Sequence, residues 1–260
     1  MGNHGQMHAQ PGVETRPDTD VPARRNSGSY PRTTSYVTSF RTRRSALSAA
    51  QQRTWERLWP KLGAVARGDD GPAAPLDTRL WFGREAPLIL EIGCGTGTST
   101  LAMAQSEPDV NVIAVEVYRR GLAQLLCAIE REDVDNIRLV RGDAVDVLEY
   151  LITPGSLTGV RVFFPDPWPK SRHHKRRLLQ PATVDLIADR LRPGGVLHVA
   201  TDHPGYAAQI AEVGDAECRL ARLDPANRSL PISVVRPITK YETKARHAGS
   251  TVTELLWERR

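Results

Sequence analysis

Five short apolar runs lie in the middle of the chain, and each is followed by a segment with the apolar spacing of a helix. The runs begin at Leu88, Asn111, Ile137, Val160 and Gly195, and the helical segments lie at about 98–106, 119–131, 144–152, 174–191 and 205–214. Such alternation is typical of a parallel sheet built from β-α-β units. The sequence therefore predicts an α/β protein with a Rossmann-like, mostly parallel central sheet and helices on both faces.

The C-terminal end of the chain has a different pattern. Past Leu220 the alternation of strands and helices is less regular, but SVVRPITKY (233–241) and STVTELLWER (250–259) read as strands. We expect these two segments to form a final antiparallel strand pair.

The segments before the first apolar run suggest three regions in the chain. Residues 1–34 are rich in Gly, Pro, Ser, Thr and charge and poor in aliphatic residues, so we expect a disordered tail. Residues 35–86 contain a basic arm (FRTRR), a helix and a polar connector, and residues 87–260 form the predicted catalytic domain.

The predicted N-terminal helix is supported by four apolar residues at roughly helical spacing, Leu47, Trp55, Leu58 and Trp59. Ser45 or Ser48 is expected to cap it, because a serine side chain can accept a hydrogen bond from the first turn.

Composition limits the partners and the compartment. The chain has 35 Lys plus Arg and 30 Asp plus Glu, a net charge of +5 and a pI near 9.3, which favours a polyanionic partner. Its three cysteines have no Cys-x-x-Cys spacing, so neither a disulfide framework nor a zinc site is indicated. No run reaches the roughly 18 apolar residues of a membrane span. We expect a cytoplasmic protein that binds neither membrane nor metal.

The first apolar run leads into a glycine-rich turn, LILEIGCGTGTST, with Gly93, Gly95 and Gly97. Glycines here allow the backbone to approach a ligand closely, at the strand ends where open α/β sheets bind nucleotide-like cofactors. The spacing is G-x-G-x-G, with Thr98 where the dinucleotide fingerprint has a glycine-like residue. This difference argues against NAD.

Acidic residues lie in or at the ends of three successive strands. Glu116 follows the glycine turn by about twenty residues, where an acid accepts hydrogen bonds from ribose hydroxyls. Asp143 is placed to accept from an adenine amino group, and Glu91 to face the amino group or cation of an aminoacyl-type cofactor. Each acid alone is equally consistent with a surface strand end, but three together predict a cofactor site.

The fourth run continues into FFPDPWPKSRHHKRR, residues 163–177. Pro165 and Pro167 stop the strand and fix the backbone on either side of Asp166. Trp168 is expected either to stack on an extruded purine or to pack in the core. The following cations predict contacts to an RNA backbone, and they are Lys170, Arg172, Lys175, Arg176 and Arg177. His173 and His174 have no third metal ligand at suitable spacing.

Several motifs resemble those of one enzyme family. EIGCGTG, AVEV and RGDA resemble the core of class I S-adenosylmethionine-dependent methyltransferases, and FFPDPWPKSRHHKRR is similar to the signature of bacterial tRNA (guanine-N7-)-methyltransferases. ATDH around Asp202 and TKYE at 239–242 extend the resemblance, which runs from about Ser35 onward. It implies methyl transfer from S-adenosylmethionine to N7 of a guanosine in tRNA, in the variable loop. We expect the chain to act as a monomer.

The resemblance makes Asp166 the catalytic residue and also a cofactor contact. Guanine presents two donors to a carboxylate on its Watson-Crick edge, so Asp166 can select guanine and direct its N7. N7 already carries a lone pair, so no general base is required. We expect Asp166 to orient the base and to offset positive charge on the methylated ring.

The remaining substrate contacts are also implied by the resemblance. The residues are Lys170, Asp202, Thr239, Lys240, Tyr241 and Glu242. TKYE is expected to form a loop that closes on the target guanosine. The chain departs from the family in having Tyr241 where phenylalanine is common and Ala245 where glycine is usual.

Three other interpretations remain at the level of sequence. An exocyclic-amine methyltransferase has a related Asp/Asn-Pro-Pro-aromatic loop, although here the order is Pro-Asp-Pro-Trp. A non-catalytic RNA-binding protein predicts no cofactor binding, against which the glycine turn and the acids argue. An NAD-dependent oxidoreductase is disfavoured by Thr98 and by the lack of a recognisable hydride-site acid or base.

Overall fold

Strands and helices alternate along the chain as the apolar runs predict. The computed structural model describes residues 46–68, 71–227, 229–238, 242–243 and 251–260. Its strands are β1 (Gly63–Val65), β2 (Arg67–Gly68), β3 (Gly71–Pro72), β4 (Leu88–Ile92), β5 (Asn111–Glu116), β6 (Ile137–Arg141), β7 (Leu157–Phe163), β8 (Leu191–Thr201), β9 (Leu220–Arg222) and β10 (Thr253–Arg259). The predicted tail (1–34) and basic arm (40–44) lie outside the described residues and stay predictions.

Helices connect most of these strands. They are α1 (Ala49–Leu62), α2 (Thr78–Phe82), α3 (Thr98–Ser106), α4 (Arg119–Glu132), α5 (Ala144–Asp146) with a π-helical continuation (Val147–Leu151), α6 (Pro181–Arg190) and α7 (Pro204–Ala216), with 3₁₀ turns at Ser171–Arg176 and Pro225–Asn227. In the described parts of the chain, none of these helices is long and apolar enough to cross a membrane.

The main sheet has the strand order β1-β6-β5-β4-β7-β8-β10-β9. Neighbours from β1 to β8 are parallel, whereas β10 pairs antiparallel with both β8 and β9. β4 and β5 are buried along their whole length because helices cover both faces of the sheet. The predicted α/β fold, with a mostly parallel sheet and antiparallel C-terminal strands, is confirmed.

The partner of the last strand differs from the prediction. β10 pairs with β9, and the described part of the segment predicted to pair with it, residues 233–238, forms no strand. The Ser233 N–H donates to Glu107 Oε1 at 2.7 Å, and its carbonyl accepts from Arg161 at 3.0 Å. Side chains therefore take the backbone groups that a ladder would use, and Pro237 has no N–H to give.

The predicted N-terminal helix is α1, and its cap is Ser48 rather than Ser45. The Ser48 hydroxyl accepts from the Gln51 N–H, and the Gln51 side chain accepts from the Ser48 N–H, forming a capping box. Trp55 is buried and stacks on Trp59 with ring centroids 4.1 Å apart. Directly after α1, β1 pairs parallel with β6, so the predicted connector contributes a strand to the main sheet.

The helix predicted over residues 174–191 is shorter and begins later. Residues Ser171–Arg176 form a 3₁₀ turn, and α6 begins only at Pro181. Proline favours the first turn of a helix because it has no N–H to leave unpaired, and it disfavours helical backbone in the residue before it. The basic cluster therefore lies on a turn, outside α6.

A close contact between α7 and β10 provides a test of the packing. A Cβ atom added to Gly214 would lie 2.3 Å from the Trp257 indole, which is 1% exposed. We expect Gly214→Ala to lower the free energy of unfolding by about 1–3 kcal/mol, because overpacking outweighs the helix propensity of alanine. Urea denaturation measures this change, with Glu212→Ala on the exposed side of α7 as the control. A gain of about 1 kcal/mol, as helix propensity alone predicts, would contradict the packing.

Candidate active site

The glycine turn after β4 adopts a backbone that requires glycine. Gly93, Gly95 and Gly97 have φ values of 77°, 58° and 77°, in the left-handed region. A Cβ atom added to Gly93 or Gly95 would meet no atom within 4 Å, so these two positions border open space. A Cβ atom on Gly121 of α4 would lie 2.2 Å from the Gly95 carbonyl oxygen, so that helix packs directly against the turn.

Glu116, the last residue of β5, holds this turn. Its carboxylate accepts from the backbone N–H groups of Gly95 at 3.0 Å, Val117 at 2.7 Å and Tyr118 at 3.0 Å. Burial raises the pKa of Glu116, and the three N–H groups partly oppose that rise. Because a carboxylate has about four acceptor positions, capacity remains for a hydroxyl donor from a ligand.

Glu91 is buried in β4 beneath the turn. Thr100 Oγ1 donates to its Oε1 atom at 2.9 Å, whereas Oε2 is buried and has no hydrogen-bond partner among the described residues. Burial raises the pKa of Glu91, and the charge of Arg161 on the adjacent strand opposes the rise. An unpaired buried acceptor beside a ligand turn fits an amino or cationic group.

Asp143 follows β6 and begins α5. Its Oδ1 atom accepts from the Val145 N–H at 2.8 Å, which makes it the N-cap and fixes the direction of its carboxylate.

One cavity is lined by the predicted residues Gly93, Glu116, Asp143 and Asp166. The structure therefore brings the glycine turn, two of the three strand-end acids and the Pro-Asp-Pro segment together.

Asp166 is exposed at the rim of this cavity, in a constrained loop. Phe164 donates its N–H to the Ala200 carbonyl at 2.8 Å, although its φ is 52°. Trp168 also has a positive φ, 41°. Non-glycine residues seldom adopt this conformation, and it clusters at functional sites.

Trp168 packs in the protein interior. It is 5% exposed, Arg176 lies over its ring at 4.9 Å and His173 contacts it edge-on at 5.7 Å. Of the two interpretations of this residue, the structure favours the packed aromatic, because the ring is covered.

The basic cluster divides into two groups. Lys170, Arg172 and Lys175 are exposed on the turn beside Asp166, where phosphates can reach them. Arg177, predicted as a phosphate contact, is only 3% exposed. It donates to the Pro167 carbonyl at 2.8 Å, so its guanidinium faces the protein. The inward-facing guanidinium therefore does not fit the predicted contact of Arg177 with an RNA phosphate.

The other predicted substrate residues lie in different surroundings. Asp202 is exposed at the end of β8, just before the N-cap of α7. Glu242 is buried and forms an ion pair with Arg236, so the structure does not present it as an open substrate contact. Thr239, Lys240 and Tyr241 lie outside the described residues, and their roles stay predictions.

Two arginines with buried side chains were not predicted from the sequence. Arg161 in β7 is fully buried and pairs with Glu107 at 2.5 Å. Arg236 pairs with Glu254 at 3.1 Å and lies 4.9 Å from the centroid of the Phe164 ring. A charged residue inside an apolar run, as in VRVFF and SVVRPI, is the signal that marks such positions. Within the described residues, no cluster of three or more His, Cys, Asp or Glu is arranged to bind a metal.

Comparisons with known proteins identify the family of this chain. A methyltransferase family model matches residues 85–255. A tRNA (guanine-N(7)-)-methyltransferase of Mycobacterium avium (strain 104) is 66% identical over 265 residues, which cover 100% of both chains. One from Mycobacterium bovis (strain BCG / Pasteur 1173P2) is 66% identical over 261 residues, covering 100% of this chain and 96% of the other.

A solved structure, the 16S rRNA methyltransferase KamB, matches with a TM-score of 0.48 and 15% identity over 75% of this chain and 99% of that chain. The sequence relatives match over the whole of this chain. This chain belongs to the tRNA (guanine-N7-)-methyltransferase family.

Proposed function

We propose that this chain transfers the methyl group of S-adenosylmethionine to N7 of a guanosine in the variable loop of tRNA, forming 7-methylguanosine. Full-length relatives at 66% identity are named for tRNA guanine-N7 methylation. The observation that carries the proposal is that Glu116, Asp143 and Asp166 line one cavity, with exposed cations on the adjoining turn. The predicted monomer and cytoplasmic location stay predictions.

The strand-end residues fit an adenosyl and aminoacyl ligand. Glu116 has acceptor capacity left for ribose hydroxyls, Asp143 is fixed toward an adenine amino group, and Glu91 has an unpaired buried oxygen for an amino group or cation. When bound, S-adenosylmethionine supplies a methyl group on a positively charged sulfur. Gly93 and Gly95 leave open space beside the backbone, against which the ligand packs.

Asp166 orients the base. Its carboxylate can accept from both donors on the Watson-Crick edge of guanine, which rejects adenine and turns N7 in a fixed direction. Its charge also offsets the positive charge that develops on the methylated ring. Because N7 has a lone pair in the plane of the ring, the chain needs to provide alignment and electrostatics only.

The exposed cations bind the RNA backbone. Lys170, Arg172 and Lys175 lie within ten residues of Asp166 and are exposed. We therefore expect them to bind phosphates of the RNA segment that carries the target guanosine. Contacts of this kind set position and affinity, whereas the carboxylate reads the base. Recognition of the variable loop depends on the shape of the folded RNA.

Replacing Asp166 tests the proposed reaction directly. We expect Asp166→Ala and Asp166→Asn to lower kcat by about 10²–10³-fold, since both remove the charge beside the base. The measurement incubates unmodified tRNA with methyl-labelled S-adenosylmethionine, followed by nucleoside identification and by cleavage with reduction and aniline. The control is Asp109→Asn, which lies in the turn before β5, at the opposite end of the strands from Asp166.

Two results would contradict parts of this account. Nearly full activity of Asp166→Asn would leave hydrogen bonding as its only role and remove the charge argument. Label in an exocyclic amine instead of N7 would retain the fold and overturn the proposed reaction.

Replacing Glu116 tests the cofactor site. In Glu116→Gln an amide N–H₂ group would face backbone N–H donors, so we expect the turn to lose its anchor and the Kd for S-adenosylmethionine to rise. Charge-assisted hydrogen bonds contribute about 1.5–3 kcal/mol, which corresponds to a rise of roughly ten- to a hundredfold. Isothermal titration calorimetry measures Kd, with exposed Glu149→Gln as the control. An unchanged Kd would place the ligand elsewhere.

A further inference from the structure

The guanidinium of Arg177 connects two parts of the site that are distant in sequence. Its Nε donates to the Pro167 carbonyl at 2.8 Å, and its Nη1 donates to Gln209 Oε1 at 2.6 Å and to the Gly205 carbonyl at 3.4 Å. The group also lies over the Tyr206 ring, 4.9 Å from its centroid. One planar fork therefore bridges the Pro-Asp-Pro loop and the first two turns of α7.

Each of the two bridged segments carries an aspartate that is predicted to contact the substrate. Pro167 is next to Asp166, and Gly205 lies three residues after Asp202. His203, the N-cap of α7, accepts from the Tyr206 N–H at 3.1 Å, so the turn that carries Asp202 is fixed to the helix. Movement of Arg177 would therefore change the spacing of the two carboxylates.

The surroundings of Arg177 are more consistent with positioning than with anion binding. The acceptors named above are neutral oxygens, and the adjoining Tyr206 is buried with its pKa raised to about 12, so it stays an uncharged phenol. Tyr206 in turn accepts from the Leu179 N–H at 3.1 Å. A planar fork directed by several fixed acceptors provides geometry that a flexible ammonium group does not.

We propose that Arg177 is a positioning residue that sets the relative placement of Asp166 and Asp202 around the target guanine. This inference rests on the proposed function. It separates Arg177 from the exposed cations Lys170, Arg172 and Lys175, although all four belong to one basic motif, residues 170–177. Arg177 acts through the Pro167 carbonyl and α7 and does not touch RNA.

The test compares Arg177→Lys, Arg177→Ala and Gln209→Ala with two arginine controls. Arg172→Ala removes an exposed cation of the same cluster. Arg84→Lys alters another arginine with neutral acceptors, Asn111 Oδ1 and the carbonyls of Pro108 and Val110, at the opposite edge of the sheet. The readouts are kcat at saturating tRNA and S-adenosylmethionine, the salt dependence of the tRNA Kd, and the thermal midpoint.

We expect both Arg177 variants to lower kcat by about tenfold or more, because a 1 Å misplacement of reacting groups costs about 10²-fold. Lysine should not rescue kcat, since it cannot reach Pro167 and Gln209 at the same time. Gln209→Ala should lower kcat partly, and its combination with Arg177→Lys should be no worse than Arg177→Lys alone. The salt dependence of tRNA binding should be unchanged in the Arg177 variants.

Each control identifies a different failure. Arg172→Ala should reduce the slope of log Kd against log salt concentration by about 0.7–0.9, the value for one phosphate contact. The same reduction in Arg177→Ala with wild-type kcat would make Arg177 a phosphate ligand. A lower thermal midpoint with unchanged kcat, as we expect for Arg84→Lys, would make Arg177 structural only. Wild-type protein that forms no 7-methylguanosine contradicts the proposed function itself, whereas active variants contradict only the role of Arg177.

Discussion

The parallel pairing of β4 with β5 on one side and β7 on the other is the constraint on which the site depends. In this register Ile92 lies level with Val115 and with Val162. The next residues of all three strands therefore emerge at one edge, and there the chain has the glycine turn, Glu116 and the Phe-Phe-Pro-Asp segment. Since a slip of one residue would turn every side chain to the opposite face, the buried β-branched residues of these strands also fix the cofactor acids.

Buried charges extend this constraint across the sheet. Arg161 neighbours Glu91 on β4 and His198 on β8, and it forms an ion pair with Glu107. His198 contacts Glu254 at 2.8 Å, and Arg236 then joins Glu254 to Glu242. Unpaired buried charge is costly, so Arg161 requires Glu107 and Arg236 requires Glu242. Arg161 also donates to the Ser233 carbonyl, so the segment before TKYE is attached to β7, the strand next to β4. Glu242 pairs with Arg236, whose guanidinium lies over the Phe164 ring.

The sequence predicts those structural features that are determined by residues close together in the chain. Apolar periodicity located five of the six parallel strands, and the glycine spacing located the left-handed turn after β4, because both depend on neighbouring residues. The failures arise from distant contacts. Residues 233–238 form no strand because Glu107, 126 positions from Ser233, takes the backbone N–H. Arg177 was grouped with exposed cations because a run of like charges does not reveal which side chain turns inward toward α7, and β1 was missed because three residues carry too little pattern.

Backbone strain on either side of Asp166 constrains the loop that carries this exposed carboxylate. Phe164 and Trp168 both have positive φ, and such conformations cost about 1–3 kcal/mol each for non-glycine residues. Surrounding contacts hold them, since Phe164 donates to Ala200, the Trp168 ring is covered by Arg176, and the carbonyl between them at Pro167 accepts from Arg177. An aspartate on a relaxed surface loop would sample many directions, and ordering it on binding would reduce the gain from each base contact. In the proposed reaction this conformational cost is met on folding, before tRNA binds, so the loop that carries Asp166 is already ordered when the base arrives.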